Sequence, residues 1–506
     1  MQKIKLLTSL LLSILVLCGM SVNATERVIS TDSFVLTEHK TEIKGKRVSY
    51  SAKTGTQPVW DDEGKPVATL FYTYYKRTDV KDSSNRPLIM SFNGGPGSAS
   101  VWMHVAYTGP RILNIDDEGY PVQPYGVQTN PYSILDVADI VFVNPVNTGY
   151  SRVLEDENGE MMSKEAQQAM FFGVNADIEY LAEWLNTFVT RNERWSSPKY
   201  LIGESYGTTR VSGLALALQN QQWMYLNGVV LVSPTEIGIE RAGPVEAANR
   251  LPYFAATAWH HNKLSADLQA KDLYDVLAEV EDYTINQYIP AIAKGGFISE
   301  QDKADTIKQV ARFSGLSEKA VEQSNLDISN AFFWKELLRD EGKTVGRLDS
   351  RYLGIDKKET GDSPDYWAEL TSWLHSFTPA INHYLRTELN YKTDIKYNMF
   401  GPVRPWDRSG NNSGENLRLA MAQNPYLNVL IQSGYYDGAT NYFDAKYTMW
   451  QLDPSGKMND RLSFKGYRSG HMMYLRRADL ELSNEDLREF IINTLPAKGE
   501  AARYPR

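Results

Sequence analysis

The chain alternates between short, continuously apolar runs and longer stretches in which apolar residues recur at helical spacing. Five apolar runs are bounded by turn residues: residues 87–92 (PLIMSF), 139–143 (DIVFV), 200–202 (YLI), 228–232 (GVVLV) and 429–432 (VLIQ). Runs of this kind are typical of strands that are buried on both faces of a parallel sheet. Between them, Ile178, Leu181 and Leu185 share one face of a predicted helix. This alternation predicts an α/β fold.

Two regions depart from the alternation. Residues 27–77 predict antiparallel strands at one end of the sheet. Residues 235–382 are mostly helical and charged and lack convincing buried strands, which indicates a helical cap inserted between two strands. The domain organisation that we expect is a first core segment at residues 25–234, the cap at residues 235–382, and a second core segment at residues 383–506.

The first 24 residues have the pattern of a secretory signal peptide. Two lysines precede an apolar stretch at residues 6–17, and small residues up to Ala24 offer a cleavage point. The stretch is short and contains hydroxyl residues, which argues against stable membrane insertion. The chain's one cysteine, Cys18, lies here; a lipid anchor on it is the alternative, although Leu17 is too bulky for the usual preceding residue. We therefore expect a secreted or periplasmic protein whose mature chain has no cysteine.

The composition is that of an ordinary soluble globular protein, with 42% hydrophobic and 23% charged residues. A formal net charge of −9 without long basic runs argues against nucleic acid as a partner. The adjacent residues His260 and His261 lack the spacing of metal ligands, so we expect neither a metal ion nor another cofactor. The composition leaves the oligomeric state open.

Residues 203–207 (GESYG) place Ser205 between two glycines, after a predicted strand and before an amphipathic helix. This is the pattern of a nucleophile elbow, in which small residues on both sides of the serine let strand and helix approach closely. An ordinary glycine-rich turn is the alternative. The flanking strand and helix favour the elbow.

A serine nucleophile needs a base and an orienting acid, which follow it in the order Asp, His in this type of fold. Asp437 follows the predicted strand at residues 429–432, and His471 lies in a late loop. Alternatively, Asp437 forms a turn beside Gly438 and His471 is structural. The other histidines are less well placed, because they precede the serine or lie in the predicted cap, with His383 at its end.

An oxyanion hole requires two backbone N–H donors. One belongs to the residue after the nucleophile, Tyr206, and the other to a loop after an early strand. The glycine-rich residues 93–97 (NGGPG) follow the strand at 87–92 and can supply this second donor. A tight turn that binds nothing is the alternative.

Five motifs in this order resemble the serine carboxypeptidases (peptidase family S10) of the bacterial secreted type: NGGPGS at residues 93–98, NPYS at 130–133, GESYG at 203–207, GYYD at 434–437 and SGHM at 469–472. The resemblance extends over nearly all of the predicted mature chain and is weakest in the cap. It implies an α/β-hydrolase fold with a mostly helical cap insertion. It also implies that the protein releases C-terminal residues from peptides.

The resemblance further implies a role for each matching residue. These roles are nucleophile for Ser205, base for His471, orienting acid for Asp437, oxyanion donors for Gly95 and Tyr206, and binding of the substrate's terminal carboxylate for Asn93, Gly94 and Glu204. A glutamate can bind another carboxylate only when one of the two is protonated, since two ionised carboxylates repel.

Several positions depart from the family pattern. Tyr107 stands where a glutamate commonly pairs with the elbow glutamate, and we expect its hydroxyl to modulate Glu204 by a hydrogen bond that favours the ionised form. Ser91 and Ser98 replace a usual tryptophan and cysteine. Arg210 replaces a small or aromatic residue; it could attract an anion, but a position on the helix surface is favoured.

Three functions therefore remain open. The first is an exported carboxypeptidase with a peptide substrate and an acyl-enzyme intermediate. The second is an esterase, amidase or acyltransferase of the same fold without specificity for a free carboxylate. The third is an exported binding protein with an inert triad.

Overall fold

The computed structural model describes residues 27–82, 85–239 and 241–497, together with residues 499 and 503. The predicted signal peptide and Cys18 lie outside these residues. The described strands are β1 (Ser33–Ile43), β2 (Lys46–Trp60), β3 (Pro66–Arg77), β4 (Leu88–Phe92), β5 (Arg111–Leu113), β6 (Val127–Thr129), β7 (Asp139–Val143), β8 (Arg152–Val153), β9 (Lys199–Glu204), β10 (Gly228–Val232), β11 (Thr344–Val345), β12 (Leu353–Gly354), β13 (Asn428–Gly434) and β14 (Leu462–Tyr467).

Helices connect and cover these strands. They are α1 (Val101–Ala106), α2 (Lys164–Phe171), α3 (Val174–Arg191), α4 (Tyr206–Gln221), α5 (Pro244–Ala248), α6 (Leu251–His260), α7 (Ala266–Gln269), α8 (Leu273–Tyr283), α9 (Ile289–Ile292), α10 (Glu300–Ser314), α11 (Glu318–Gln323), α12 (Asn330–Glu336), α13 (Ala368–Thr387), α14 (Ser413–Gln423), α15 (Tyr442–Leu452) and α16 (Arg477–Asn493). Within the described parts of the chain, every helix is too short or too polar to cross a lipid bilayer.

The main sheet has the strand order β1-β2-β3-β7-β4-β9-β10-β13-β14, and β8 pairs with β3. Strands β7, β4, β9, β10, β13 and β14 run parallel. Strands β1 to β3 are antiparallel to their neighbours and form one end of the sheet. Both sequence predictions for the sheet are therefore confirmed: the five apolar runs form parallel strands, and the early segment forms antiparallel ones.

The central strands are buried throughout because helices cover both faces of the sheet. Every residue of β4, β7, β9 and β10 is buried. On one face, Leu201 belongs to a hydrophobic cluster with Leu181 of α3 and Leu214 of α4. On the other face, Ile202 belongs to a second cluster with Leu487 of α16. Consecutive side chains of one strand thus enter different cores, as a two-sided parallel sheet requires.

The helical insertion lies between β10 and β13 and has a core of its own. Helices α6, α8, α10 and α12 contribute most of a hydrophobic cluster spanning residues 248–345. Three helices here begin at serine caps, because Ser299, Ser317 and Ser329 each accept a hydrogen bond from a backbone N–H three residues later. The insertion also contains the two-stranded ribbon β11–β12, which the sequence pattern did not predict.

The predicted cap boundary at residue 382 falls inside helix α13. The buried face of this helix packs in a sheet cluster rather than in the insertion cluster. The ring of Phe377 lies 4.6 Å from that of Trp102, and the hydroxyl of Tyr384 is 2.8 Å from that of Tyr75 in β3. Helix α13 therefore belongs to the core by its packing, although it precedes the return of the chain to the sheet.

Candidate active site

Ser205 occupies the sharp turn between β9 and α4. Its backbone has φ 58° and ψ −127°, a positive φ that is rare for a residue with a side chain. The flanking glycines are required by the close approach of strand and helix. A Cβ atom on Gly203 would lie 2.2 Å from the carbonyl oxygen of Gly207, and one on Gly207 would lie 2.8 Å from that of Phe92. The turn has the geometry that the sequence predicted for a nucleophile elbow.

Asp437 and His471 form a buried pair. Nδ1–H of His471 donates to Oδ2 of Asp437 at 2.6 Å. Asp437 also accepts the backbone N–H groups of Ala439 at 2.8 Å and of Thr440 at 3.1 Å, which fix its carboxylate. Burial alone would lower the pKa of His471, but the charge and hydrogen bond of Asp437 outweigh it and raise the pKa above its usual value. The imidazole is thus oriented and made more basic by its partner.

A cavity of about 440 Å³ brings most of the predicted site residues together. Ser205, His471, Gly94, Gly95, Tyr206 and Glu204 all line it. Asp437 and the buried Asn93 lie behind this lining: Asp437 is hydrogen bonded to His471, and Asn93 is hydrogen bonded to Glu204. Among the described residues, no three His, Cys, Asp or Glu side chains converge in a way that would hold a metal ion.

The loop after β4 approaches the elbow backbone very closely. A Cβ atom on Gly94 would lie 2.5 Å from the backbone nitrogen of Tyr206. Gly95 has φ 105°, a conformation that favours glycine. The loop and the first residue of α4 therefore face the same cavity beside Ser205, where two backbone N–H donors are needed.

Glu204 is buried next to Ser205, and both of its carboxylate oxygens accept hydrogen bonds. Oε1 accepts Nδ2–H of Asn93 at 2.9 Å, and Oε2 accepts the hydroxyl of Tyr474. Burial raises the pKa of Glu204 to about 7, although His471 and these two donors oppose the shift. The carboxyl group can therefore carry a proton in mildly acidic and neutral solution.

The expected hydrogen bond from Tyr107 to Glu204 is wrong. The hydroxyl of Tyr107 donates instead to Oε1 of Gln432 at 2.7 Å and to the carbonyl of Ser483 at 3.2 Å. Its ring stacks on Tyr474 with centroids 4.7 Å apart and planes 8° from parallel. Tyr107 thus supports the tyrosine that contacts Glu204. Tyr474 follows His471 by three residues in the sequence HMMY, and this closeness to His471 was the one feature of the sequence that could have indicated a place for Tyr474 in the site.

The expected surface position of Arg210 is also wrong. The side chain is completely buried, and its Nε donates to Oδ2 of Asp177 in α3 at 2.7 Å. Its Nη1 donates to the carbonyl of Asn93 at 2.6 Å, and its Nη2 to that of Pro96 at 3.3 Å. Arg210 thus ties helix α4 to the glycine-rich loop. A buried arginine is stable here because Asp177 compensates its charge.

Comparison with known proteins identifies the family. The family model described as serine carboxypeptidase matches residues 46–463, a range that includes Ser205 and Asp437 and ends before His471. Serine carboxypeptidase-like 36 of Arabidopsis thaliana is 29% identical over 175 residues, or 34% of this chain and 33% of that protein. Serine carboxypeptidase S10 family member 1 of Dictyostelium discoideum is 26% identical over 141 residues, or 28% of this chain and 29% of that protein. Each of these alignments spans a third or less of the relative's length.

A solved structure agrees on the fold. The prohormone-processing carboxypeptidase Kex1Δp of Saccharomyces cerevisiae superposes with a TM-score of 0.51 at 14% sequence identity. The superposition covers 89% of this chain and 93% of that one. The chain belongs to the serine carboxypeptidase family and has the α/β-hydrolase fold.

Proposed function

We propose that the protein is an exported serine carboxypeptidase that releases C-terminal residues from peptides. Ser205 is the nucleophile, His471 the base and Asp437 its orienting acid. Export depends on the signal peptide predicted at residues 1–24, and the periplasm is the compartment that a cysteine-free mature chain favours. The observation that carries the proposal is the buried, protonatable Glu204 beside a serine that shares its cavity with the paired His471.

The proposed reaction proceeds through an acyl-enzyme. His471 removes the proton of the Ser205 hydroxyl as the oxygen attacks the last peptide carbonyl, and the backbone N–H groups of Gly95 and Tyr206 stabilise the oxyanion. The imidazolium then protonates the leaving amino group, and the C-terminal residue departs. Water, activated by His471, hydrolyses the ester to release the shortened peptide and free Ser205.

Specificity for a free C-terminus is assigned to Glu204 with Asn93 and Gly94. A protonated Glu204 donates a hydrogen bond to the substrate carboxylate, whereas an ionised Glu204 repels it. With a pKa of about 7, Glu204 is protonated below neutral pH. The helical insertion acts as a cap, because Arg347, Leu348 and other insertion residues line the same cavity.

One observation favours a second candidate. Tyr474 donates to Glu204, and this hydrogen bond lowers the pKa of Glu204 and favours its ionised form. A site whose glutamate is ionised suits esters, amides or acyl transfer better than a peptide with a free carboxylate.

The decisive experiment compares a blocked dipeptide with its C-terminal amide. We expect kcat/KM for the free acid to exceed that for the amide by about 100-fold or more in mildly acidic solution, since a charge-assisted hydrogen bond contributes about 1.5–3 kcal/mol and the terminal carboxylate makes more than one. The Ser205→Ala protein gives the background rate for both substrates. Equal hydrolysis of the two substrates would contradict the carboxypeptidase and favour the second candidate.

A further inference from the structure

A short stretch of the insertion joins the two loops that carry Asp437 and His471. Residues 346–351 (GRLDSR), here called the bridging segment, connect β11 to β12. The carbonyl of Arg347 accepts the N–H of Gly438 at 3.0 Å, and the carbonyl of Leu348 accepts the N–H of His471 at 2.6 Å. The N–H of Ser350 donates to the carbonyl of Tyr436 at 3.0 Å. One segment is therefore hydrogen bonded to both loops.

The contact with the histidine loop leaves no free space. A Cβ atom on Gly470 would lie 2.5 Å from the Cβ of Asp349 and 2.5 Å from the carbonyl oxygen of Leu348. A side chain at position 470 would have to displace the bridging segment, the histidine loop or both. The position of the loop is thus coupled by packing to the position of the segment.

Two buried side chains, Arg351 and Glu369, make the hydrogen bonds that fix the bridging segment. Arg351 donates through Nε and Nη2 to the two carboxylate oxygens of Asp349, at 2.9 and 2.6 Å, and through Nη2 to Oγ of Ser469 at 3.1 Å. It also donates through Nη1 to the carbonyl of Glu118 at 3.1 Å. Below the segment, Oε1 of the buried Glu369 accepts the N–H of Leu348 at 2.8 Å. A bidentate arginine pair of this kind restricts both partners to one geometry.

We infer that the bridging segment positions His471 for catalysis, and that Arg351 is the positioning residue that keeps it in place. The inference rests on the proposed function, because it assigns His471 the role of base. Transfer of the serine proton requires the imidazole to stay close to one geometry, and misplacement by about 1 Å can cost about 100-fold in rate. Arg351 acts on this geometry directly through Ser469, two residues before the histidine. It acts indirectly through Asp349, the residue after Leu348, whose carbonyl accepts the N–H of His471.

The test replaces Arg351 by methionine, which keeps much of the side chain's length but removes its donors, and by lysine. Arg250→Met is the matched control, since Arg250 belongs to the insertion and pairs with the more exposed Glu246 and Asp327. The readouts are kcat and KM for the blocked dipeptide, and the rate at which a fluorophosphonate probe labels the serine as pH is varied. Circular dichroism establishes that each variant is folded.

For Arg351→Met we expect kcat and the labelling rate to fall by about 10- to 100-fold while KM stays within about twofold. The pH midpoint of labelling should fall as well, because a looser contact with Asp437 lowers the pKa of His471. Arg351→Lys should recover part of the rate, and Arg250→Met should equal wild type.

A folded Arg351→Met protein with the wild-type labelling rate and pH midpoint would overturn the inference. If that variant does not fold, Ser469→Ala and Arg351→Lys decide: a smaller loss in the same direction supports the inference, and wild-type labelling in both overturns it. Labelling does not depend on substrate class. A wild-type protein that is labelled but does not cleave the dipeptide would therefore contradict the proposed function and leave this inference standing.

Discussion

The loops at the carboxyl ends of the parallel strands, here called the sheet edge, and the helical insertion both line the cavity that contains Ser205, but the two regions are held in place differently. Ser205 follows β9 directly, Asp437 lies three residues after the end of β13, and His471 lies four residues after the end of β14, so that the ladder of parallel strands sets their positions. The insertion has a separate hydrophobic cluster and reaches the catalytic residues through the bridging segment. In the proposed mechanism the reacting groups belong to the sheet edge, whereas the insertion contacts their loops through the bridging segment and helps to shape the cavity.

The largest effects should come from the reacting groups at the sheet edge. Ser205→Ala and His471→Ala should each lower kcat by at least about 10⁴-fold, because the nucleophile and its base act as one unit. The measurement is hydrolysis of the blocked dipeptide together with fluorophosphonate labelling.

Ser212→Ala is the control for these variants. Ser212 lies on the same helix as the residue after the nucleophile, and its buried hydroxyl has no hydrogen-bond partner among the described residues. This variant should retain wild-type activity. Substantial activity in a pure His471→Ala protein would reject the proposed base.

The next largest loss of activity should come from replacing a glycine at the sheet edge, whereas the same change at a glycine of the insertion should cause none. Gly94→Ala places a Cβ atom 2.5 Å from the backbone nitrogen of Tyr206, so that the oxyanion donors must move apart. We expect kcat to fall by at least about 10-fold. In the insertion, a Cβ atom on Gly296 meets no atom within 4 Å among the described residues, and Gly296→Ala should be fully active. Equal activity of the two folded variants would show that the close approach at Gly94 has no catalytic role.

The sheet edge was largely predictable from the sequence, because local patterns determine it. Apolar runs located five of the six parallel strands, and the residues that follow them gave Ser205 and Asp437. The sixth, β14, has only one buried residue and no apolar run, so it was not predicted. The glycine at each side of the serine indicated the tight turn before any contact was visible. These features depend on neighbours within a few residues and on the regular period of strands and helices.

What the sequence did not reveal depends on contacts between distant residues. Arg210 looked like a surface residue because its partner Asp177 lies 33 positions earlier on another helix. Tyr474 was missed because stacking with Tyr107, more than 300 residues away, directs it to Glu204. The bridging segment is an irregular stretch without periodicity. Its contacts with the loops of Asp437 and His471 appear only once the insertion is folded against the sheet.

Two buried glutamates, Glu204 at the end of β9 and Glu369 on helix α13 against the bridging segment, allow the comparison to be tested by pH. Burial raises the pKa of both Glu204 and Glu369 to about 7. If protonated Glu204 binds the substrate carboxylate, kcat/KM for the free acid should fall as pH rises through about 7, and Glu204→Gln should abolish this fall. The measurement is kcat/KM for the free-acid dipeptide from acid to alkaline pH.

Glu369→Gln is the matched change on helix α13, at its contact with the bridging segment. Its amide oxygen can still accept the N–H of Leu348, so the alkaline fall should persist in this variant. An alkaline fall that is the same in wild type and Glu204→Gln would exclude Glu204 as the carboxylate-binding group. A fall that disappears in Glu369→Gln instead would assign it to Glu369 and its contact with the bridging segment.

The smallest effect should come from the two stacked tyrosines behind Glu204. The hydroxyl of Tyr474 lowers the pKa of Glu204, so Tyr474→Phe should raise this pKa and move the alkaline fall of kcat/KM to higher pH. In acidic solution, where Glu204 is protonated in both proteins, kcat/KM for the free acid should change by no more than a few-fold, about the effect of one hydrogen bond. Tyr107→Phe keeps the stacked ring and loses only the hydrogen bonds to Gln432 and Ser483, so the fall should stay in place. A shift in Tyr107→Phe without one in Tyr474→Phe would reverse the assignment. It would restore Tyr107 as the residue that modulates Glu204.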